Sequence, residues 1–533
     1  MRLNRLAQFA GSACMLFCVA AMHAQQPHHA SLPSTIRSLL ADPKIEGAHF
    51  GISVTQLDGT PIDALDDDKL FEPASNTKLF TTAAALDILG PKQTWKTTAT
   101  VMAVSMGTTW AKGDVLLRGE GDAFLSDRTV PYNVKTADAP PTLSKLDELA
   151  IQIAHSGLKK IDGNIVASSS LPWEPYGDGW NNDDLPWGYG APVTGIDINE
   201  NQLKLTISPG SAAHEYANLK IEPDFPYYTL ESEVITVDGQ TSPNIQIERD
   251  GRTLHIFGTI GLDKPSDVEE IAIDDPGLYT ALAFKALLAQ HGVIVNGTAR
   301  AERHFPIELQ TSRKLIQQPL SLSEMKNTHA LVDMSGFPGG INVPSVLAEA
   351  RHESPPLLDD VIATNKDSLN LHAELLLRKL ANWSSGKAVA TSSTIAEGAR
   401  VVRQFAIDAG VKPNDFFFVD GSGLSTYDLV TPRAITQLLR YAATQPWGAD
   451  YKSSLPIGGV DGTLEHRFTT APLKGNVFAK TGTLSEERAL SGYVVCASGR
   501  TVVFSILVGQ HLPGSSADRD VMDKIVAAIA AAN

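Results

Sequence analysis

The chain has 533 residues, of which 43% are hydrophobic and 20% charged, an ordinary globular composition long enough for two or more domains with their own cores. Its formal net charge is −16. Without a basic stripe, that charge argues against nucleic acid as the main partner. The first residues have the pattern of a secretory signal. Arg2 and Arg5 precede a largely apolar, uncharged stretch over 6–21, and small residues follow. This predicts a removable segment over residues 1–24, since the apolar stretch is short for a span of roughly 20 residues. Of the three cysteines, only Cys496 lies beyond it, so the mature chain can form no intrachain disulfide. Cys496 sits in an alternating strand-like run and reads as a buried structural thiol. A disulfide-free exported chain fits a bacterial periplasm or envelope. No later stretch is apolar enough to cross a membrane, so membrane association is expected to be weak and peripheral at most.

A short helix is expected over 32–41. The run from His49 to Leu57 alternates as a strand, Asp58-Gly59 marks a tight turn, and Pro61–Leu65 returns. Pro73 opens a helix with Leu79, Phe80, Ala83, Ala84 and Leu86 on one apolar face, and Leu89-Gly90-Pro91 stops it. From residue 97 to 271 the texture changes to short β-like runs between Gly, Pro, Asp and Asn clusters, which reads as a mostly β insert with its own core. Gly119-Glu-Gly-Asp122 lacks the third glycine and the following helix of a phosphate loop. Helical periodicity returns over 276–291, 367–380 and 394–410. Strands are expected over 477–483, 490–497 and 501–509, the last two joined at Ser498-Gly499-Arg500, and a helix over 518–532 closes the chain. A strand pair near one end and three strands near the other predict a single sheet built from both ends, interrupted by the insert. The expected division is 30–96 with 272–533 as one discontinuous domain, and 97–271 as the insert.

Three short signals carry the chemistry: Ser75-Asn76-Thr77-Lys78, Ser368-Leu369-Asn370 and Lys480-Thr481-Gly482-Thr483. Alone, each is weak. Ser-x-x-Lys also begins at Ser156, Ser323 and Ser384, and Ser-x-Asn at Ser242. Ser75 and Ser368 read singly as helix caps, and Lys480 as an exposed strand-end residue. Together they describe a serine nucleophile activated without histidine. Three residues apart at a helix start, Ser75 and Lys78 share a face. A lysine whose pKa is lowered by burial or a neighbouring cation can take the serine proton. The Ser368 hydroxyl can both give and accept a proton, which suits a relay to a leaving group. The Asn370 amide can orient a lysine or a substrate amide. Lys480 with the hydroxyls of Thr481 and Thr483 can bind a carboxylate, and Gly482 allows a ligand to come close. The backbone N–H groups of Ser75 and Thr483 could form an oxyanion hole.

The ordered set is the one shared by class A β-lactamases and penicillin-binding proteins. About 290 residues separate Ser75 from Ser368, which a compact β-lactamase does not accommodate. Further stretches sharpen the comparison: Glu72–Lys78, Asn365–Asn370, Asp420-Gly-Ser-Gly-Leu-Ser425, Leu455–Thr463, Ala479–Leu484, Leu490–Val494, Tyr189–Pro192 and Asn199–Asn201. On these residues the chain resembles the class C low-molecular-mass penicillin-binding proteins, the D-alanyl-D-alanine carboxypeptidase/endopeptidase family, over nearly all of its mature length. Two positions depart from that pattern: Leu369, where a polar residue is commoner, and Thr426, where Arg is expected.

The resemblance implies an α/β (α+β) fold, a penicillin-binding/β-lactamase-like domain with a central antiparallel sheet flanked by helices and interrupted by the β insert. It implies a periplasmic serine hydrolase acting on peptidoglycan stem peptides, able also to cut D-alanyl cross-links and acylated by β-lactams. Ser75, Lys78, Ser368, Asn370 and Lys480 would be catalytic, and Thr481, Gly482 and Thr483 substrate-binding. No His-Glu-x-x-His, clustered Cys/His set or Gly-x-Ser-x-Gly elbow is present, so the chemistry calls for no metal or cofactor. The alternatives are a β-lactamase or esterase on the same fold, and a noncatalytic wall-binding protein.

Overall fold

The computed structural model describes residues 34–134, 141–306, 312–323, 325, 345–385 and 393–533. The signal segment expected over 1–24 lies outside the described residues. No described helix is long and apolar enough to cross a membrane.

A five-stranded antiparallel sheet is assembled from both chain ends, in the order 477–483, 488–495, 501–509, 49–56 and 61–65. Its middle strand, Thr501–Gly509, is buried along nearly its whole length because the sheet is covered on both faces. Val502, Phe504, Ile506 and Val508 face the closing helix Ala517–Ala532 and the short helix Ser34–Leu40. Val503 and Leu507 face a thick helical layer. The apolar side of the closing helix, Val521, Met522, Ile525, Val526 and Ile529, is spent on this packing. Cys496 is buried there too.

The helical layer is centred on Thr77–Ile88. This helix does not show the single apolar face expected. Thr77, Lys78, Thr81 and Thr82 are as buried as Leu79 and Phe80, because other helices surround it. Its hydroxyls are satisfied: Thr81 Oγ1 donates to the Gly421 carbonyl at 2.8 Å and Thr82 Oγ1 to that of Lys78, one turn back in the same helix, at 2.6 Å. Phe80 packs on Phe416 and Phe418.

The second core belongs to the insert. Its main sheet runs 294–295, 160–162, 110–119, 96–106, 345–353, with 165–169 pairing both 110–119 and 299–302. Two further three-stranded sheets, 244–250 with 253–261 and 229–237, and 267–272 with 202–208 and 218–222, enclose another cluster. The expected return of the chain at residue 272 does not match this arrangement. Helix Pro276–Gln290 buries Tyr279, Phe284 and Leu288 against the insert's sheet, and strands at 294–302 and 345–353 complete it. Helical periodicity alone does not say which core a helix packs on. The chain enters and leaves side by side: Lys96 pairs with Glu353 and Thr97 with His352, and Ser354 N donates to the Trp95 carbonyl at 2.9 Å. Leu315, Ile316 and Leu322 pack in the helical layer instead, so we propose residues 96–302 together with Ser345–Glu353 as the insert. It reaches the helical layer again through Ala123, Leu171 and Val193, which pack on Leu371 and Leu375 of the helix Asn370–Ser385.

Candidate active site

Ser75 lies in a 3-10 turn, Ala74–Asn76, that runs directly into the helix Thr77–Ile88. The turn is tight enough to put Ala74 in the left-handed region, at φ 46°, where a side chain is strained. Gly423 packs against it: with φ 80°, it lies where a Cβ would come within 1.8 Å of the Ala74 carbonyl oxygen. Gly423→Ala is therefore expected to displace the turn that carries Ser75, lowering the melting temperature together with any acylation at this serine. A thermal melt paired with penicillin labelling checks this.

Lys78 is fully buried. Its Nζ lies 2.9 Å from Ser75 Oγ, 2.6 Å from Asn370 Oδ1 and 2.8 Å from the Ser422 carbonyl oxygen. Burial pulls the ammonium down to about 7, against the opposing carboxyls of Asp420, Glu374 and Asp428. The neutral amine has two N–H groups and one lone pair. Asn370 Oδ1 and the Ser422 carbonyl can only accept, so they take both N–H groups and leave the lone pair facing the Ser75 hydroxyl. Asn370 is held in that orientation because its Nδ2 donates to the Tyr189 carbonyl, contributed by the insert, at 2.8 Å.

Ser368 is not on a helix. It occupies the turn between helices Leu357–Lys366 and Asn370–Ser385 at φ 62°, so the helix start expected at residue 367 moves to 370. The turn aims Ser368 Oγ at Lys480 Nζ, 2.8 Å away. Lys480 is fully buried on the strand Val477–Thr483. Burial, with the nearby charge of Lys78, holds its ammonium well below the usual lysine value, and Asp367 opposes them. The structure thus brings the five residues together as two hydrogen-bonded groups, Ser75–Lys78–Asn370 and Ser368–Lys480, near enough for the charge of Lys78 to act on Lys480.

Thr481 and Thr483 lie on the same strand end. Thr481 Oγ1 donates to Thr463 Oγ1 at 2.8 Å, and Arg488 Nη1 donates to Thr483 Oγ1 at 3.2 Å. Gly482 also has a packing reason for being glycine. An added Cβ would meet the Pro73 carbonyl oxygen at 2.8 Å and the Ala74 Cβ at 3.1 Å, so it lets the strand close on the turn that carries Ser75. At the departing position, Thr426 Oγ1 donates to the Gly179 carbonyl at 3.3 Å, tying this loop to the insert. Leu369 lines a cleft of about 380 Å³ beside Ser368, together with Tyr189 and Thr463.

Sequence reasoning did not single out the groups behind this set. Glu374 is fully buried, pairs with Arg378 at 2.8 Å, and accepts from the N–H groups of Gly421 and Ser422. Asp420 accepts from the N–H groups of Gly423 and Ser425 and from Trp180 Nε1. These bonds fix the loop that presents the Ser422 carbonyl to Lys78. The Asp420-Gly-Ser-Gly stretch was the available signal. Two of the three other Ser-x-x-Lys starts have ordinary serines: the Ser156 and Ser384 hydroxyls each donate to a carbonyl three residues back.

Known proteins resemble this chain over most of its length. A D-alanyl-D-alanine carboxypeptidase of Actinomadura sp. (strain R39) is 28% identical over 90% of this chain and 81% of its own. A penicillin-sensitive carboxypeptidase A of Dictyostelium discoideum is 26% identical over 88% and 83%. The crystal structure of penicillin binding protein 4 (dacB) from Haemophilus influenzae superposes with a TM-score of 0.72 at 22% identity, covering 93% of this chain and 98% of that one. That likeness establishes the shared fold, a penicillin-binding domain carrying an insert. The profile of the D-Ala-D-Ala carboxypeptidase 3 (S13) family matches residues 32–321 and 340–532, which takes in all three signals and the insert between them, and the chain belongs to that family.

Proposed function

We propose that the protein is a serine-type D-Ala-D-Ala carboxypeptidase of the cell envelope, with Ser75 as its nucleophile and peptidoglycan stem peptides as its substrates. The observation that carries this reading is the environment of Lys78: a buried amine near neutrality whose N–H groups are occupied and whose lone pair faces Ser75. Lys78 takes the Ser75 proton as Oγ attacks the penultimate D-Ala carbonyl. The N–H groups of Ser75 and Thr483 receive the developing oxyanion. Ser368, hydrogen-bonded to Lys480, delivers a proton to the leaving nitrogen as the C–N bond breaks. Lys480, Thr481 and Thr483 hold the terminal carboxylate, with Arg488 orienting Thr483. Water then hydrolyses the ester at Ser75. β-Lactams present an analogous amide in a strained ring; its C–N bond breaks on attack, the leaving nitrogen stays tethered, and the reaction stops at the covalent stage. D-alanyl cross-links present the same bond with a larger leaving group.

The test is incubation with a diacylated Lys-D-Ala-D-Ala peptide beside nitrocefin. Stoichiometric D-alanine release with slow nitrocefin turnover is the expected result. Rapid nitrocefin hydrolysis without D-alanine release would move the assignment to a β-lactamase, and no covalent labelling at all to a noncatalytic role.

A further inference from the structure

Ser368 holds an unfavourable backbone conformation, and its turn is anchored from both sides. Lys366 Nζ donates to both carboxylate oxygens of Asp461 at 2.8 Å and to the Leu455 carbonyl at 3.0 Å. The next residue, Asp367, is held by the insert. Arg128 Nη1 donates to Asp367 Oδ2 at 2.7 Å, and the Tyr132 hydroxyl donates to Asp367 Oδ1 at 2.6 Å. Arg128 is in turn seated on Glu200, with Nε on Oε1 and Nη2 on Oε2 at 3.1 Å. These are largely buried groups, with side-chain exposures of 15% for Arg128, 9% for Glu200 and 17% for Asp367. Glu200 stands on three successive left-handed residues, Asn199, Glu200 and Asn201. That knuckle is braced by Asn201 Nδ2 donating to Asp197 Oδ1 and the Pro192 carbonyl, and by Asn199 Nδ2 donating to the Thr142 carbonyl. A rigid platform in the insert therefore reaches, through one guanidinium fork and one phenol, the carboxylate adjoining Ser368.

We propose that Arg128, assisted by Tyr132, is a positioning residue for leaving-group protonation: the insert holds the Asp367–Ser368 turn so that Ser368 Oγ stays on Lys480 and faces the departing nitrogen. The inference rests on the role of Ser368 proposed above. The guanidinium suits the task because its planar fork bridges two carboxylates at once, which an ammonium does not do with the same directionality. The bond made to Ser75 does not depend on this contact. The proton given to the leaving group does.

Leaving-group chemistry separates this role from a merely structural one. An amide nitrogen must be protonated to depart, whereas the alkoxide of a D-Ala-D-lactate ester leaves with far less help. The experiment compares kcat/KM on a matched pair, diacyl-Lys-D-Ala-D-Ala and diacyl-Lys-D-Ala-D-lactate, for wild type, Arg128→Met, Arg128→Lys and Tyr132→Phe. The expected result is an amide-specific loss, about 10- to 100-fold greater on the amide than on the ester for Arg128→Met, smaller for Tyr132→Phe, with Arg128→Lys between wild type and Arg128→Met. Tyr132→Phe removes one hydroxyl and keeps the ring, so it decides the question if Arg128→Met does not fold. Equal losses on both substrates, or no loss in either variant, would overturn the positioning role while leaving Ser75 in place. A wild-type enzyme that cleaves neither substrate would overturn the parent assignment together with this one.

Discussion

Ser75→Ala is expected to abolish covalent labelling by a fluorescent penicillin and to reduce D-alanine release by about 10³-fold or more. The buried polar cluster has no second hydroxyl in the same position. Lys78 contacts Ser75 Oγ at 2.9 Å, while Ser368 Oγ is engaged by Lys480. Removing the Ser75 hydroxyl deletes the atom that forms the ester, yet keeps a small side chain in the 3-10 turn, so the fold is retained. Labelling of purified wild type and variant, with matched melting curves, makes the comparison. Equal labelling of the two would refute Ser75 as nucleophile.

The second large effect is on pH dependence. Lys78 acts as a base only when unprotonated, and burial brings its ammonium down to about 7 from the ordinary lysine value of about 10.4. The sign follows directly. Below pH 7 the amine is protonated and acylation is slow. As pH rises through about 7 the proton leaves, and the second-order acylation rate should climb to a plateau by about pH 8 to 9. Lys78→Arg should lose about 10²- to 10⁴-fold at every pH, since a guanidinium keeps its proton throughout. Stopped-flow acylation by a chromogenic β-lactam over pH 5–10 measures both. A wild-type profile that stays flat, or that rises only above pH 9, would show that Lys78 is not the base.

The two effects rest on residues of very different legibility. Ser75, Lys78, Ser368, Asn370 and Lys480 are visible in the chain because their chemistry needs particular side chains at short, fixed spacings. The sheet was also legible: strands with alternating or continuous apolar runs and turn residues at Asp58-Gly59 and Ser498-Gly499 announce themselves locally. What was not legible depended on which surface each element meets. The helix Pro276–Gln290 has the same periodicity whether it packs on the catalytic layer or on the insert, and it packs on the insert. The helix Thr77–Ile88 reads as amphipathic, yet its polar side is buried too, and the Thr81 hydroxyl finds the Gly421 carbonyl, an acceptor that only the folded chain supplies.

The same division runs through the site. Local sequence determined that a serine and a lysine stand one helical turn apart, that a second serine precedes an asparagine, and that another lysine lies on a strand. These are short-range constraints, written in adjacent residues. Tertiary structure decided what those groups can do. The Lys78 amine is suited to the base role proposed for it because burial destabilises its charge and two carbonyl acceptors occupy its N–H groups. Asn370 faces it because the insert's Tyr189 carbonyl takes the other end of the amide. Gly482 is glycine because a strand must close on the Pro73–Ala74 turn. Arg128 lies 239 residues before Asp367 in the chain and meets it only because the insert folds back on the helical layer. Proton affinity and orientation depend on burial and on partners distant in sequence, and those exist only once the chain has folded.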